Sequence, residues 1–175
     1  MATVQEHENH QHEGHENDHH HATTVFFVNH IIANLGVLNV KLHQYHWNVK
    51  GPNFFTLHKK FEEMYNEANQ YFDEFAERLT AVAEKPYATL SEYLEHAFIT
   101  EEPYDEKITA EAMVETLADD YRTIRNVTIK ALQLAVKEED RVTEEMLVNY
   151  KSRLDKTIWM LQAFLGKDAL EDEEE

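Results

Sequence analysis

The chain has 175 residues, enough for one domain with a sizeable core, and it has no cysteine. The missing thiols exclude disulfides, zinc–thiolate sites and iron–sulfur clusters. A formal net charge of −18 repels nucleic acid and anionic membranes and concentrates cations.

Four Gly and three Pro are too few for a strand-rich fold, so long helices with few connections are expected. The N-terminus shows no charged-then-apolar signal pattern, and no run approaches the roughly 18 apolar residues of a membrane span. The expected location is the cytoplasm.

Residues 1–22 hold seven of the twelve histidines, five acidic groups and almost nothing to bury. They read as a disordered His/Glu-rich tail that either chelates metal loosely or stays solvated. A bundle domain over 23–168 follows, then an acidic tail over 169–175. The first helix is predicted over Thr24–Val49, where Val28, Ile32, Leu35, Asn39, Leu42 and His46 recur at spacings of three and four. Gly51-Pro52-Asn53 stops it. The second spans Phe54–Ala83, apolar along Phe54, Leu57, Phe61, Met64, Tyr65, Ala68, Phe72, Phe75, Ala76 and Leu79, with Pro86 as its stop.

A connection of about 25 residues comes next, with a short helix predicted over Ser91–Ala97 and capped by Ser91. Thr109–Lys137 reads as the third long helix. Thr143–Leu165 reads as the fourth, with Thr143 as N-cap and Gly166 as stop. Two helices, a long crossing and two more helices make an all-α four-helix bundle, ferritin-like in layout, with a short helix in the long crossover connection.

The chemistry concentrates on the second helix. His58 with Glu62, and Asp73 with Glu77, are i, i+4 pairs that share a fan of roughly 100°. That fan overlaps the apolar side, where carboxylates and imidazoles are costly to bury unless paired or metal-bound. Alone, either pair is a common surface arrangement; together, with His46 on the facing stripe of the first helix, they suggest a metal centre. Glu62 and Asp73 stand eleven residues apart, roughly 16 Å along the axis, too far for one metal. An antiparallel partner helix across a two-fold axis would bring one chain's His58/Glu62 end beside the other's Asp73/Glu77 end. A site inside one bundle would need Glu-x-x-His on two helices. No long helix has that motif, and no histidine follows His96. Mixed imidazole and carboxylate ligands suit Fe(II) or Mn(II), with zinc possible.

The stretch 43-HQYHWNVKGPNFFTLHKKFEEMYNEANQYFDEFAERL-79 resembles the signature of the Dps family of mini-ferritins. The resemblance covers roughly residues 24–168. It carries His-Trp, a histidine twelve residues after the first, an acid four further on, and Asp-x-x-x-Glu. It implies a ferroxidase: a dodecameric hollow cage that oxidises Fe(II), preferably with hydrogen peroxide, at mono- or di-iron sites, stores ferric oxide and guards against oxidative damage. His46, His58 and Glu62 would come from one subunit and Asp73 and Glu77 from its two-fold mate. Family members often have Asp where this chain has Glu62. Trp47, beside His46, would either quench stray one-electron oxidation or simply anchor the interface. Iron entry through acidic three-fold pores makes Asp140 and Glu145 candidates, against the alternative of a solvated turn. Several family members bind DNA through Lys- or Arg-rich tails. This N-terminal tail has none, so no appreciable DNA binding is expected near neutral pH. A nucleoid-protecting DNA binder is the alternative function.

Overall fold

The computed structural model describes residues 23–171. Five helices and no strands occupy them: α1 (Thr24–Asn48), α2 (Phe54–Ala81), α3 (Leu90–His96), α4 (Ala110–Lys137) and α5 (Arg141–Phe164). The predicted bundle with one long crossover and a short helix inside it is the observed architecture. The predicted tail over 1–22, and residues 172–175 of the one predicted over 169–175, lie outside the described residues.

α1 pairs with α2, α4 pairs with α5, and α1 also packs on α4 and on α3. This placement makes α1 the central helix. It buries Val28, Ile31, Ile32, Leu35, Val37, Leu38, Leu42 and Tyr45, well beyond the single stripe read from its periodicity. By length and composition alone α1 would pass for a membrane span, contrary to the sequence expectation, yet 67% of that window is buried inside the bundle. A helix surrounded by other helices is apolar on most sides for the same reason as one in lipid. The core closes with Phe61, Met64 and Phe75 from α2, Met113, Leu117 and Ile124 from α4, and Leu147, Leu154 and Ile158 from α5.

The helix ends correct three expectations. α3 begins one residue early because Thr89, not Ser91, caps it. Thr89 Oγ1 accepts from Glu92 N, and the Glu92 carboxylate accepts from Thr89 N at 2.9 Å in a reciprocal capping box. α5 begins at Arg141, capped by Asp140, whose carboxylate accepts from Thr143 N at 3.1 Å. Thr143, the expected cap, lies inside the first turn, buried, and donates its hydroxyl to Asp140 at 2.5 Å.

α2 stops at Ala81, five residues before Pro86. Glu84 N donates to Leu79 O and Ala83 N to Thr80 O, a Schellman ending with Ala83 at φ +62. α4 ends the same way around Glu139, at φ +60, with Asp140 N on Ala135 O. α5 ends around Gly166 at φ +74, as its sequence predicts.

Candidate metal centre

The turn over residues 49–53, with Gly51 at φ +102, folds the end of α1 against the start of α2. It brings His46 and His58 face to face, with ring centroids 3.7 Å apart and planes 20° from parallel. His46 Nδ1 lies 2.7 Å from the carbonyl oxygen of His58, and His58 Nδ1 lies 2.8 Å from that of His46. A carbonyl only accepts, so both Nδ1 atoms carry protons. In the neutral rings each Nε2 is then left with a lone pair. A backbone carbonyl holding the far nitrogen is also how metal-bound histidines are usually oriented.

Aromatic rings frame the pair. Phe54 stacks on His58 at 5.1 Å, and Tyr65 meets His46 edge-on at 5.5 Å. Tyr65 in turn stacks on His43 at 3.9 Å, and His43 lies 5.5 Å from Trp47. The sequence reading missed Tyr65 and His43 as neighbours of the site. His43 opens the HQYHW run one turn before His46, and Tyr65 stands one helical row from His58, so the spacing held a signal. Trp47 is 70% exposed, and the aromatic ring it meets among the described residues is that of His43.

The carboxylates stand apart. Glu62, Asp73 and Glu77 are all exposed and make no hydrogen bond or ion pair among the described residues. The burial cost expected for them is therefore not paid within the chain. Their face of α2 borders the apolar side without lying in it. No three His, Asp or Glu side chains among the described residues come close enough to hold a metal ion. The structure brings His46 of α1 and His58 of α2 together and leaves Asp73 and Glu77 further along α2.

Asp140 and Glu145 have different surroundings. Asp140 caps α5 and takes the Arg78 guanidinium at 2.8 Å. Partial desolvation pushes its carboxyl up, but the Thr143 hydrogen bonds and Arg78 outweigh this and hold it below the usual range. Glu145 is exposed.

The profile of the ferritin-like domain matches residues 27–170. A DNA protection during starvation protein of Listeria monocytogenes is 45% identical over 145 residues, covering 83% of this chain and 93% of that protein. The chain belongs to the Dps family of ferritin-like proteins. Another relative, general stress protein 20U of Bacillus subtilis, is 47% identical over 139 residues, 79% of this chain and 94% of its own. The X-ray structure of Dps from Listeria monocytogenes superposes with a TM-score of 0.85 at 43% identity, covering 87% of this chain and 99% of that one. Dps from Listeria innocua soaked with cobalt gives 0.84 at 43% identity, with 87% and 97% covered. The ferritin-like match over residues 27–170 thus runs through all five helices.

Proposed function

We propose that this Dps-family chain is a ferroxidase and iron-storage protein whose oxidation sites are shared between two subunits. The observation that carries this reading is the reciprocal carbonyl lock on His46 and His58, which presents two adjacent Nε2 lone pairs to the same neighbourhood. Two imidazoles alone hold Fe(II) weakly and leave its charge uncompensated. Asp73 and Glu77, exposed and unpaired, supply that compensation when α2 of a two-fold mate runs antiparallel alongside. Glu62 completes the set from the histidine side. Zn or Mn fits the same donors.

Two Fe(II) ions give one electron each to hydrogen peroxide, its O–O bond breaks, and two protons complete two waters. Because both electrons pass together, no hydroxyl radical is released. The ferric product collects inside a cage, a dodecamer built from such dimers, and Glu145 lies on the route by which iron enters. Trp47 takes up any single oxidising equivalent that escapes the pair. Protection of DNA follows from removing iron and peroxide rather than from binding. The net charge of −18 and the absence of Lys and Arg from residues 1–21 support that. A gel shift at neutral pH and low salt should leave DNA free, whereas tight binding would favour the alternative, a nucleoid-protecting DNA binder.

Complementation tests the shared site. A variant lacking both His46 and His58, and another lacking both Asp73 and Glu77, should each fail to give the ferric absorbance rise with Fe(II) and peroxide. Co-refolded in equal amounts, they should recover about a quarter of the wild-type rate, because half the dimers are mixed and each mixed dimer has one intact site. Recovery of no activity, with assembly shown intact, rejects sharing.

A further inference from the structure

The crossover between α2 and α4 is tied to α1 by three buried polar side chains. Asn29 donates to the carbonyl of Lys85 at 3.1 Å and accepts from Tyr87 N at 2.8 Å. Asn34 accepts from Phe98 N at 2.9 Å and from Ile99 N at 3.1 Å. Between them, His30 donates from Nδ1 to the carbonyl of His96 at 2.7 Å. Further along, Tyr93 of α3 sits against Gly36, where an added Cβ would come within 2.9 Å of its ring. α3 is thus held down at both flanks and seated in a notch.

His30 differs from the two asparagines in one respect. It is 7% exposed, and its Nε2 is buried with no hydrogen-bond partner. Its surroundings are Phe98, stacked at 4.8 Å, Phe26 edge-on at 4.4 Å, the His96 ring at 5.8 Å and Tyr87 at 6.4 Å. With Nδ1–H committed to the carbonyl, a second proton can only go to Nε2, where no acceptor waits. A buried N–H without a partner, on a charged ring among aromatic edges, is costly.

We propose that His30 is an acid-sensitive latch: its protonation releases the crossover, and α3 with it, from α1. The charged groups around it favour release. His96 on α3 repels a second cation, and Lys130 of α4 lies over the ring of Phe27, 6.0 Å from its centroid. On the other side, Glu92 and Glu95 of α3 act on Tyr87, and Glu138 is bound to the backbone of Thr24 at the start of α1. None of these carboxylates accepts a hydrogen bond from His30 Nε2. Burial, helped by His96 and only partly opposed by the carbonyl bond, holds His30 below the ordinary histidine value of 6.5. The released form takes up the proton first, so the latch is closed above that value and weakens as pH falls below it. His30 lies sixteen residues before His46, roughly 24 Å along α1, so the latch is separate from the proposed metal centre.

Hydrogen–deuterium exchange on the full-length protein, read by mass spectrometry and corrected for intrinsic rate, tests it. Peptides over residues 85–99 should exchange faster by about tenfold per pH unit below pH 6.5, while α4 and α5 peptides keep their protection. His30→Asn keeps a donor near the Nδ1 position but cannot titrate, and should make the 85–99 response flat. His96→Asn keeps the accepting carbonyl and should retain it. A wild-type 85–99 segment that follows α4 and α5 overturns the proposal, as does a response that survives His30→Asn or vanishes in His96→Asn. If His30→Asn does not fold, the wild-type contrast and the His96→Asn response decide the matter.

Discussion

His46 and His58 each donate Nδ1–H to the other's backbone carbonyl, at 2.7 and 2.8 Å, so each ring's tautomer is set by the residue on which it stacks. Asparagine can imitate the Nδ1 donor but has nothing at Nε2. His58→Asn should therefore melt within a few degrees of wild type while losing Co(II) or Zn(II) binding by about tenfold or more, the size of effect seen when metal-site contacts are removed. His58→Ala removes the donor as well and should lose both. Calorimetric titration with circular dichroism separates the two variants.

Asp140 caps α5 and pairs with Arg78, bridging the end of α2 to the turn between α4 and α5. Asp140→Ala should cost about 1–2 kcal/mol, most of it from the lost cap. Because the folded carboxyl is held below its usual value, this contribution is present above the ordinary carboxylate range. It is lost as pH falls through the folded value. Urea melts at pH 7 and pH 3 should show the wild type and variant further apart at pH 7.

Ala83 occupies the left-handed position of a Schellman ending, at φ +62, where a Cβ is strained by about 1 kcal/mol. Ala83→Gly should raise stability by up to about 1 kcal/mol, visible as a higher melting midpoint. A fall would mean that the added freedom of the unfolded glycine outweighs the strain relieved.

Gly36 admits the Tyr93 ring against α1. Gly36→Ala should force that ring away and cost about 1–3 kcal/mol, as overpacking usually does. Faster exchange confined to α3 would locate the damage. Unchanged exchange and stability would mean that α3 shifts without penalty.

The long helices were legible because their apolar rows repeat over many turns, and the turns at Gly51 and Gly166 because glycine alone tolerates those angles cheaply. The end of α2 was not, since Ala83 takes the same left-handed turn without the residue that advertises it, whereas α4 ends at Lys137 as its sequence predicts, with Glu139 in that turn. Asp140 and Thr143 are both good caps, and only the fold decides which one the chain uses. Thr89-x-x-Glu92 has the form of a capping box, and two good caps, Thr89 and Ser91, compete within three residues for the start of α3. His46 and His58 were found by spacing, but their mutual lock depends on the turn geometry, which no periodicity encodes. Asn29, His30 and Asn34 read as polar residues on an apolar helix. Their partners lie 56 to 66 residues away, beyond the reach of any local pattern.

A newly made subunit carries its imidazoles where the end of α1 meets the start of α2 and its Asp73–Glu77 carboxylates further along α2, and under the shared-site reading it can do nothing with either. Turnover waits for an encounter, so at low subunit concentration the rate should rise with the square of concentration. Iron is then oxidised only where a neighbour already stands ready to help enclose the product, and an orphan chain is no source of stray redox chemistry.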